Sequence, residues 1–280
     1  MKTYLDCYPC FLKQALSAAR CADASEEQQK DILLNAMNEL QALPSGSMPP
    51  DMAYKIHKLV REKTNNIDPY KQAKEQSTQD ALDLYPQLKI KVESAVAPLE
   101  MAVRIAIAGN IIDLGVTESY DLESTLNRVL VQPFAINDLE IFRERLSEVN
   151  SILYLADNAG ETVFDRILIE QIDKPITYVV KAAPIINDAT REDAIAAGID
   201  HVAEIIDNGS QAPGTMFEKC SELFLQHFKQ AELIIAKGQA NYESLSDCAA
   251  PLFFLLQAKC NVIARELGVS ETDIVIKKQL

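Results

Sequence analysis

From residue 151 onwards, short apolar runs alternate with segments in which apolar residues recur at helical spacing. The runs are residues 151–156, 176–181, 201–206, 233–237, 251–256 and 272–277. Runs of this length, rich in Ile, Val, Leu and Tyr, are typical of buried strands. Strands that alternate with helices form βαβ units, in which the strands lie parallel. The sequence therefore predicts an α/β fold with a mostly parallel sheet.

The chain before this alternation shows helical patterns. Residues 25–28, Ser-Glu-Glu-Gln, have the sequence of a capping box, which starts a helix. A helix that begins near Asp68 is expected to kink or break at Pro86, because proline lacks the backbone N–H that a helix interior needs. Residues 98–113 are apolar on nearly all sides, which is typical of a buried helix. Two amphipathic helices are predicted at 121–131 and 138–148.

The chain is therefore expected to have two parts. The helical N-terminal part covers residues 1–100, and the α/β part covers residues 101–280. No linker rich in Gly, Pro or Ser marks the boundary, so we expect the two parts to pack against each other.

The composition argues against several classes of partner. The chain has 280 residues, of which 48% are apolar, and its formal net charge is −14. Without a basic surface to neutralise phosphates, neither nucleic acid nor an anionic membrane is expected as a main partner. The sequence has no apolar run long enough to span a membrane and begins without a signal-peptide pattern, so we expect a cytoplasmic protein. A small phosphorylated molecule remains compatible, because it needs only a few lysines and a metal.

The turn after the first predicted strand has an unusual polar sequence. The apolar run 151–156 is followed by Asp-Asn-Ala-Gly-Glu at positions 157–161. In open α/β sheets, ligands bind at the carboxyl ends of the strands. Asp157 and Asn158 supply hard oxygen donors of the kind that Mg²⁺ and Mn²⁺ prefer. The alternative interpretation is that one of these two residues only caps the following helix.

Polar residues also follow the other predicted strands. They are Lys181, Asn187, Asp188, Lys237, Gly238, Asn241, Tyr242, Glu243 and Lys259. In a parallel sheet these strand ends share one edge, so the residues are expected to converge with Asp157. Oxygen ligands beside lysines suit a metal ion that holds a phosphate group. Taken alone, each segment has a simpler interpretation, such as a helix cap at Asn187 and Asp188.

In combination, these motifs resemble the damage-control phosphatase family, formerly catalogued as domain of unknown function 89. The motifs are Asp-Asn-Ala-Gly-Glu at 157–161, Asn-Asp-Ala-Thr at 187–190, Lys-Gly-Gln-Ala-Asn-Tyr-Glu at 237–243, Gly-Asn-x-x-Asp at 109–113 and Cys-x-x-Cys-Phe at 7–11. The last motif is similar to that of a prokaryotic branch. One departure is Ala240, where that branch is expected to have glycine; it should narrow backbone freedom without removing the site.

The resemblance implies a fold, an activity and a set of site residues. The fold is a helical N-terminal part packed on a three-layer α/β/α domain with a Rossmann-like sheet. The activity is metal-dependent hydrolysis of phosphomonoesters of small metabolites, either sugar phosphates or damaged phosphometabolites. The implied ligands of a divalent metal (Mg or Mn, with Co and Ni as further candidates) are Asp157, Asn158 and Asp188. Glu161, Asn241, Tyr242 and Lys259 fall on the substrate side, and we expect Asn110, Asp113, Lys181, Lys237, Gly238 and Glu243 there as well.

Two routes to phosphate release stay open. Water can attack phosphorus with Asp157 or Glu161 as the base, or Asp157 can attack directly and form an acyl phosphate. The haloacid dehalogenase pattern of two Asp spaced by one residue is absent, because residue 159 is Ala. The alternative function is a non-catalytic phosphometabolite-binding protein on a Rossmann-like fold, although neither Gly-x-Gly-x-x-Gly nor a Walker A sequence occurs.

Cys7 and Cys10 form a Cys-x-x-Cys pair, a spacing that occurs in zinc and redox sites. A zinc site needs two more ligands, and the other cysteines and histidines have no paired spacing. A thioredoxin-type role would place the pair after a strand, whereas this pair opens a helix. We therefore expect both cysteines to be dispensable for phosphatase chemistry, with zinc binding as the alternative.

Overall fold

The computed structural model describes residues 1–111 and 122–279, without the side chains of residues 111 and 122–125. Its helices are α1 (Cys7–Cys21), α2 (Glu26–Gln41), α3 (Pro49–Thr64), α4 (Lys71–Glu93), α5 (Pro98–Ile111), α6 (Leu122–Val131), α7 (Leu139–Glu148), α8 (Thr162–Ile169), α9 (Arg191–Ala196), α10 (Glu222–Gln230), α11 (Gly238–Leu245) and α12 (Asn261–Leu267). Its strands are β1 (Phe134–Asn137), β2 (Ile152–Leu155), β3 (Ile176–Val180), β4 (Glu204–Asp207), β5 (Ile234–Lys237), β6 (Leu252–Gln257) and β7 (Ile274–Lys278).

The strands form a sheet in the order β1-β7-β6-β5-β2-β3-β4. All neighbours pair in parallel except β6 and β7, which are antiparallel. The strands predicted after residue 151 are confirmed as β2 to β7. Strand β1 was not predicted, because its four residues alternate between half-buried and exposed and form no continuous apolar run.

The order of the sheet reverses at β2. From β2 the chain adds β3 and β4 on one side, and it then returns to place β5 on the other side. Leu153 of β2 is aligned with Thr177 of β3 and with Ile234 of β5. A reversal of this kind leaves a crevice beyond the carboxyl ends of the two central strands, where ligands bind in open α/β folds. In this chain the crevice lies beyond β2 and β5.

The sheet is the middle of three layers. Because side chains alternate along a strand, Ile152 and Tyr154 of β2 belong to a core shared with α4, α5 and α8. Leu153 and Leu155 belong to a second core on the opposite face, shared with α10, α11 and α12. The predicted three-layer α/β/α architecture with a mostly parallel sheet is therefore confirmed.

Helices α1 to α3 have a hydrophobic core of their own. It is built from residues between Phe11 and Tyr70, with Ile186 as a partly buried neighbour from the α/β part. By contrast, Ala81 of α4 and Val103 of α5 lie in the core that covers the sheet. The packing therefore divides the chain near residue 70, earlier than the boundary at residue 100 that the helical pattern suggested.

Two helices of the sheet-covering layer differ in how well the sequence predicted them. Helix α4 continues through Pro86, where a kink or break was expected. Leu88 and Val92, which follow Pro86, are buried against the core, and this packing offsets the lost hydrogen bond. Helix α5 is buried on nearly all sides, as predicted. Among the described residues, no helix combines the length and apolarity needed to cross a membrane.

Candidate functional site

The turns after β2 and β3 are tied together by backbone hydrogen bonds. The N–H of Ala189 donates to the carbonyl of Asp157 at 2.8 Å, and the N–H of Ala159 donates to the carbonyl of Asn187 at 2.8 Å. Asn158 and Asp188 face each other across this ladder as an isolated antiparallel bridge. The structure therefore brings together Asp157, Asn158 and Asp188, the residues expected to bind a metal.

Asp157 is held against the beginning of α11. Gly238, the first residue of that helix, has φ of +77°, and a Cβ added to it would lie 1.9 Å from Asp157 Oδ2. Asn110, in the last turn of α5, donates from Nδ2 to the same oxygen at 2.6 Å. The carboxylate at the end of β2 thus contacts backbone from the turn after β5 and a side chain from the buried helix. Only glycine fits at position 238.

The electrostatics of this group show a concentration of negative charge. Burial, followed by the nearby carboxylates of Glu161 and Asp188, raises the pKa of Asp157 well above its usual range. Burial likewise raises the pKa of Asp188 to about 6, although Lys181 Nζ lies 3.5 Å from its Oδ2. Carboxylates in this situation are stabilised in their ionised form by a cation that they share.

The donor set fits a hard divalent cation. Two buried carboxylates and one amide supply oxygen atoms, which are the ligands that Mg²⁺ and Mn²⁺ prefer, and these ions commonly leave several positions to water and substrate. Within residues 1–111 and 122–279, no three His, Cys, Asp or Glu side chains form a group able to hold a metal. A metal ion at the candidate site would take Asn158 as its third ligand, beside the two carboxylates.

Glu161 adjoins this group and is almost fully buried. Its Oε2 accepts hydrogen bonds from Asn110 Nδ2 at 2.9 Å and from Asn158 Nδ2 at 3.0 Å. Its Oε1 accepts from Lys237 Nζ at 2.6 Å. Glu161 is therefore connected to two residues of the candidate site through hydrogen bonds.

Lys237 lies inside the protein, where it cannot reach a ligand in the crevice. Its side chain is 0% exposed, and Nζ donates to Glu161 Oε1 at 2.6 Å, to Asp165 Oδ1 at 2.5 Å and to the carbonyl of Ala106 at 2.9 Å. These acceptors use all three donors of the ammonium group. The sequence suggested that Lys237, Lys259 or both contact phosphate; in the structure Lys237 is the counterion of two buried carboxylates.

The sequence did not predict a role for Asp165. It accepts hydrogen bonds from the hydroxyl groups of Tyr154 and Tyr178, each at 2.7 Å, as well as from Lys237. A signal for it exists: Asp165 is a carboxylate among the apolar residues of α8, a helix that is otherwise buried. A charged residue in such a position is expected to have a partner of opposite charge.

Some of the remaining predicted site residues line the crevice, and others connect the elements around it. Lys259 and Glu243 line the crevice. Asn241 lies beneath it and donates from Nδ2 to the carbonyls of Ala156 and Lys237, which ties β2 to β5. Tyr242 packs edge-on against Phe254, with ring centroids 5.1 Å apart.

Lys181 and Asp113 are the last two residues that the sequence predicted at the site. Lys181 is buried, and its Nζ donates to the carbonyl of Gly214 beside its ion pair with Asp188. Asp113 lies outside the described residues. Among the described residues that line the crevice, Lys181 is absent.

The crevice opens into a cavity of about 500 Å³ between the α/β part and helices α1 and α3. Asp157, Asn158 and Asp188 line it from the α/β part, and Cys7 and Cys10 line it from α1. The sequence placed both cysteines in the helical part but did not predict that they line the same cavity as the candidate metal ligands. That proximity depends on how two separate cores dock, which no local pattern encodes.

The chain is similar to known proteins over most of its length. The family model described as the damage-control phosphatase ARMT1-like domain matches residues 3–275. The chain is 38% identical to a damage-control phosphatase of Archaeoglobus fulgidus over 81% of each chain. It is 34% identical to a damage-control phosphatase of Pyrococcus horikoshii over 98% of this chain and 97% of that one.

A solved structure shows the same fold. The crystal structure of a DUF89 family protein from Pyrococcus horikoshii superimposes with a TM-score of 0.92 and 32% sequence identity, and the alignment covers 100% of both chains. The fold, the polar turns that meet at its reversal point and the matched sequence all lead to one conclusion: this chain belongs to the damage-control phosphatase ARMT1-like domain family.

Proposed function

We propose that this protein is a metal-dependent phosphatase that hydrolyses phosphomonoesters of small metabolites. The observation that carries the proposal is the meeting of Asp157, Asn158 and Asp188 at the reversal point of the sheet, with Lys259 lining the same cavity. The names of the two relatives, both damage-control phosphatases, support the same activity. Hydrolysis breaks the ester P–O bond with one water and releases an alcohol and inorganic phosphate.

Asp157, Asn158 and Asp188 would hold the metal ion, with Mg²⁺ or Mn²⁺ as first candidates and Co²⁺ or Ni²⁺ as alternatives. When bound, such an ion polarises a phosphate oxygen and offsets the charge that develops on the phosphoryl group. The chain's own contribution is to fix these ligands. Backbone hydrogen bonds join the two turns. Gly238 packs closely against the Asp157 carboxylate, and Asn110 donates a hydrogen bond to it.

The two candidate carboxylates occupy different positions relative to the substrate. Asp157 lines the cavity, whereas Glu161 is almost fully buried and has both oxygens occupied by Lys237, Asn110 and Asn158. We therefore assign to Asp157 the group that meets phosphorus or its attacking water, and to Glu161 the positioning of Asn110 and Asn158. Lys259, an exposed cation on the cavity wall, supplies positive charge for the phosphate oxygens.

A screen of phosphate esters tests the proposal. The purified chain is incubated with p-nitrophenyl phosphate and with a panel of phosphorylated sugars and cofactors, with added Mn²⁺ or Mg²⁺ and separately with EDTA. We expect phosphate release that requires the metal. Binding of phosphorylated ligands without turnover, under every metal tested, would instead favour the alternative of a non-catalytic phosphometabolite-binding protein.

Gly238→Ala is expected to abolish most of the activity, because the new methyl group would displace the Asp157 carboxylate. Gly268→Ala is a matched control, since Gly268 has a similar φ of +70° and nothing within 4 Å of an added Cβ. Both variants place a residue with a Cβ at a left-handed backbone position, which costs about 1–2 kcal/mol of stability. Only Gly238→Ala should lose turnover, as measured by phosphate release with both proteins below their melting temperatures. Equal turnover in the two would contradict the close packing of Gly238 on the site.

Lys259→Met is expected to raise KM for phosphate esters without changing the melting temperature, because Lys259 is exposed and its charge faces the cavity. Removal of one charged contact to phosphate costs about 1.5–3 kcal/mol, which is roughly tenfold or more in binding. Lys278→Met, an exposed lysine that does not line the cavity, serves as the control. Steady-state kinetics with the same KM in both variants would remove Lys259 from the site.

A further inference from the structure

The cavity over the candidate site has two chemically different sides. The α/β part contributes the carboxylates, the amide and Lys259 described above. The opposite side comes from α1 and α3 and consists of Cys7, Cys10, Phe11, Pro49, Pro50 and Ala53, which we call the α1–α3 wall. Asp6 and Gln14 are the polar residues that the same two helices and their flanks add to the lining. Val262 and Ile186 extend the apolar surface from the α/β side.

The two cysteines contribute to the apolar character of this wall. Partial burial raises the pKa of Cys7 and of Cys10 above the usual range of a thiol, so both groups are neutral at pH 7. A neutral thiol packs like a small hydrophobic side chain and is only a weak hydrogen-bond donor. The Cys-x-x-Cys motif thus presents a soft, weakly polar surface to the cavity. Phe11, Pro49 and Pro50 have no side-chain hydrogen-bonding group at all.

The α1–α3 wall is carried by well-packed helices. Its residues belong to helices that are stabilised by a core of their own, in which Ala15, Ile32 and Met52 are fully buried. The helices that carry the wall are therefore held together by packing outside the cavity. A volume of about 500 Å³ also falls in the range of about 300–1,000 Å³ that is typical of pockets for complete small molecules. A metal ion and a phosphate group at the floor leave most of this space to the rest of the substrate.

We propose that the α1–α3 wall binds the organic part of the substrate and selects phosphomonoesters whose organic part is apolar over those that are polyhydroxylated. This inference rests on the proposed phosphatase function and specifies its substrate class. A hydroxyl group placed against Phe11, Pro49 or Pro50 would lose its water without gaining a side-chain partner, which makes it unfavourable there. An apolar group gains from leaving water at the same place.

The test compares two alkyl phosphates with similar leaving groups, 2-phenylethyl phosphate and glycerol 3-phosphate, in the full chain with Mn²⁺. The non-hydrolysable phosphonates, 2-phenylethylphosphonate and 2,3-dihydroxypropylphosphonate, are titrated by calorimetry in parallel. We expect the phenylethyl compounds to have lower KM and lower Kd by about tenfold or more, from burial of the phenyl ring. Cys10→Asp places a charge on the wall at an exposed position and should reduce this preference to below about threefold.

Ser17→Asp is the control, because Ser17 lies on the same helix but does not line the cavity, and it should keep the wild-type preference. Equal affinity for the two phosphonates in the wild type, or an unchanged preference in Cys10→Asp, would overturn the inference. If neither ester is hydrolysed but the phosphonate preference and its loss in Cys10→Asp are observed, the inference stands and the phosphatase function fails. If neither phosphonate binds, both fail.

Discussion

Asp157→Asn is expected to lose metal-dependent phosphatase activity by about a hundredfold or more, since changes to groups one step away from a metal already cost roughly 10- to 100-fold. The substitution keeps the shape of the side chain and removes its charge. Asp157 lines the cavity and adjoins Asp188 and Asn158. Its negative charge would therefore attract the metal ion and lie close to the bound substrate. Phosphate release at saturating Mn²⁺ measures the loss.

The same variant should fold at least as stably as the wild type without metal. Burial raises the pKa of Asp157, which means that its ionised form is disfavoured in the metal-free protein. A neutral Asn removes this cost. Asp173→Asn is the control, because Asp173 is exposed and lies in the loop before β3, at the opposite end of the sheet. Wild-type turnover in Asp157→Asn would contradict the assignment. A large drop in the melting temperature of Asp157→Asn would instead show that Asp157 has a structural role.

Lys237→Met is expected to destabilise the protein by about 3–5 kcal/mol, the usual cost of breaking a buried ion pair from one side. Burial alone would lower the pKa of Lys237, but Asp165 and Glu161 raise it, so the ammonium stays charged. Its removal leaves two buried carboxylates without a counterion. Thermal unfolding should show a melting temperature lower by roughly 5–15 °C.

A compensating substitution distinguishes charge from packing. In the double variant Lys237→Met with Asp165→Asn, one of the two orphaned carboxylates is neutral, so the loss of stability should be smaller than in Lys237→Met alone. Lys259→Met, which removes an exposed lysine, should melt like the wild type. A Lys237→Met protein as stable as the wild type would show that the ion pairs below the site contribute little.

The sequence predicted most of the fold because the fold's main signals are local. Most strands after residue 151 are apolar runs bounded by polar turns, and Ser25 and Gln28 form the capping box that their spacing predicts. The antiparallel pairing of β6 and β7 was not predicted, since direction depends on the connection between strands rather than on their composition. The parallel strands also predicted that the turns after β2 and β3 lie close together, and Asn158 faces Asp188 there.

What the sequence could not predict depends on packing between distant elements. Lys237 follows an apolar run, as Lys259 does, and no local feature separates a lysine that is buried from one that faces the cavity. The difference arises because α5 and α8 cover the end of β5 and supply the carbonyl of Ala106 and the carboxylate of Asp165. Cys7 and Cys10 reach the cavity for the same kind of reason, through the docking of α1.

The central claim, a metal-dependent phosphatase site built on Asp157, Asn158 and Asp188, is tested most directly by measuring metal binding and turnover on the same protein. Chelator-treated wild type and Asp188→Asn are titrated with Mn²⁺ by calorimetry, and phosphate release from p-nitrophenyl phosphate is followed over the same metal concentrations. The account predicts Mn²⁺ binding in the wild type with turnover that rises along the same saturation curve, and loss of both in Asp188→Asn. Full turnover in the chelator-treated wild type, or unchanged Mn²⁺ affinity in Asp188→Asn, would contradict it.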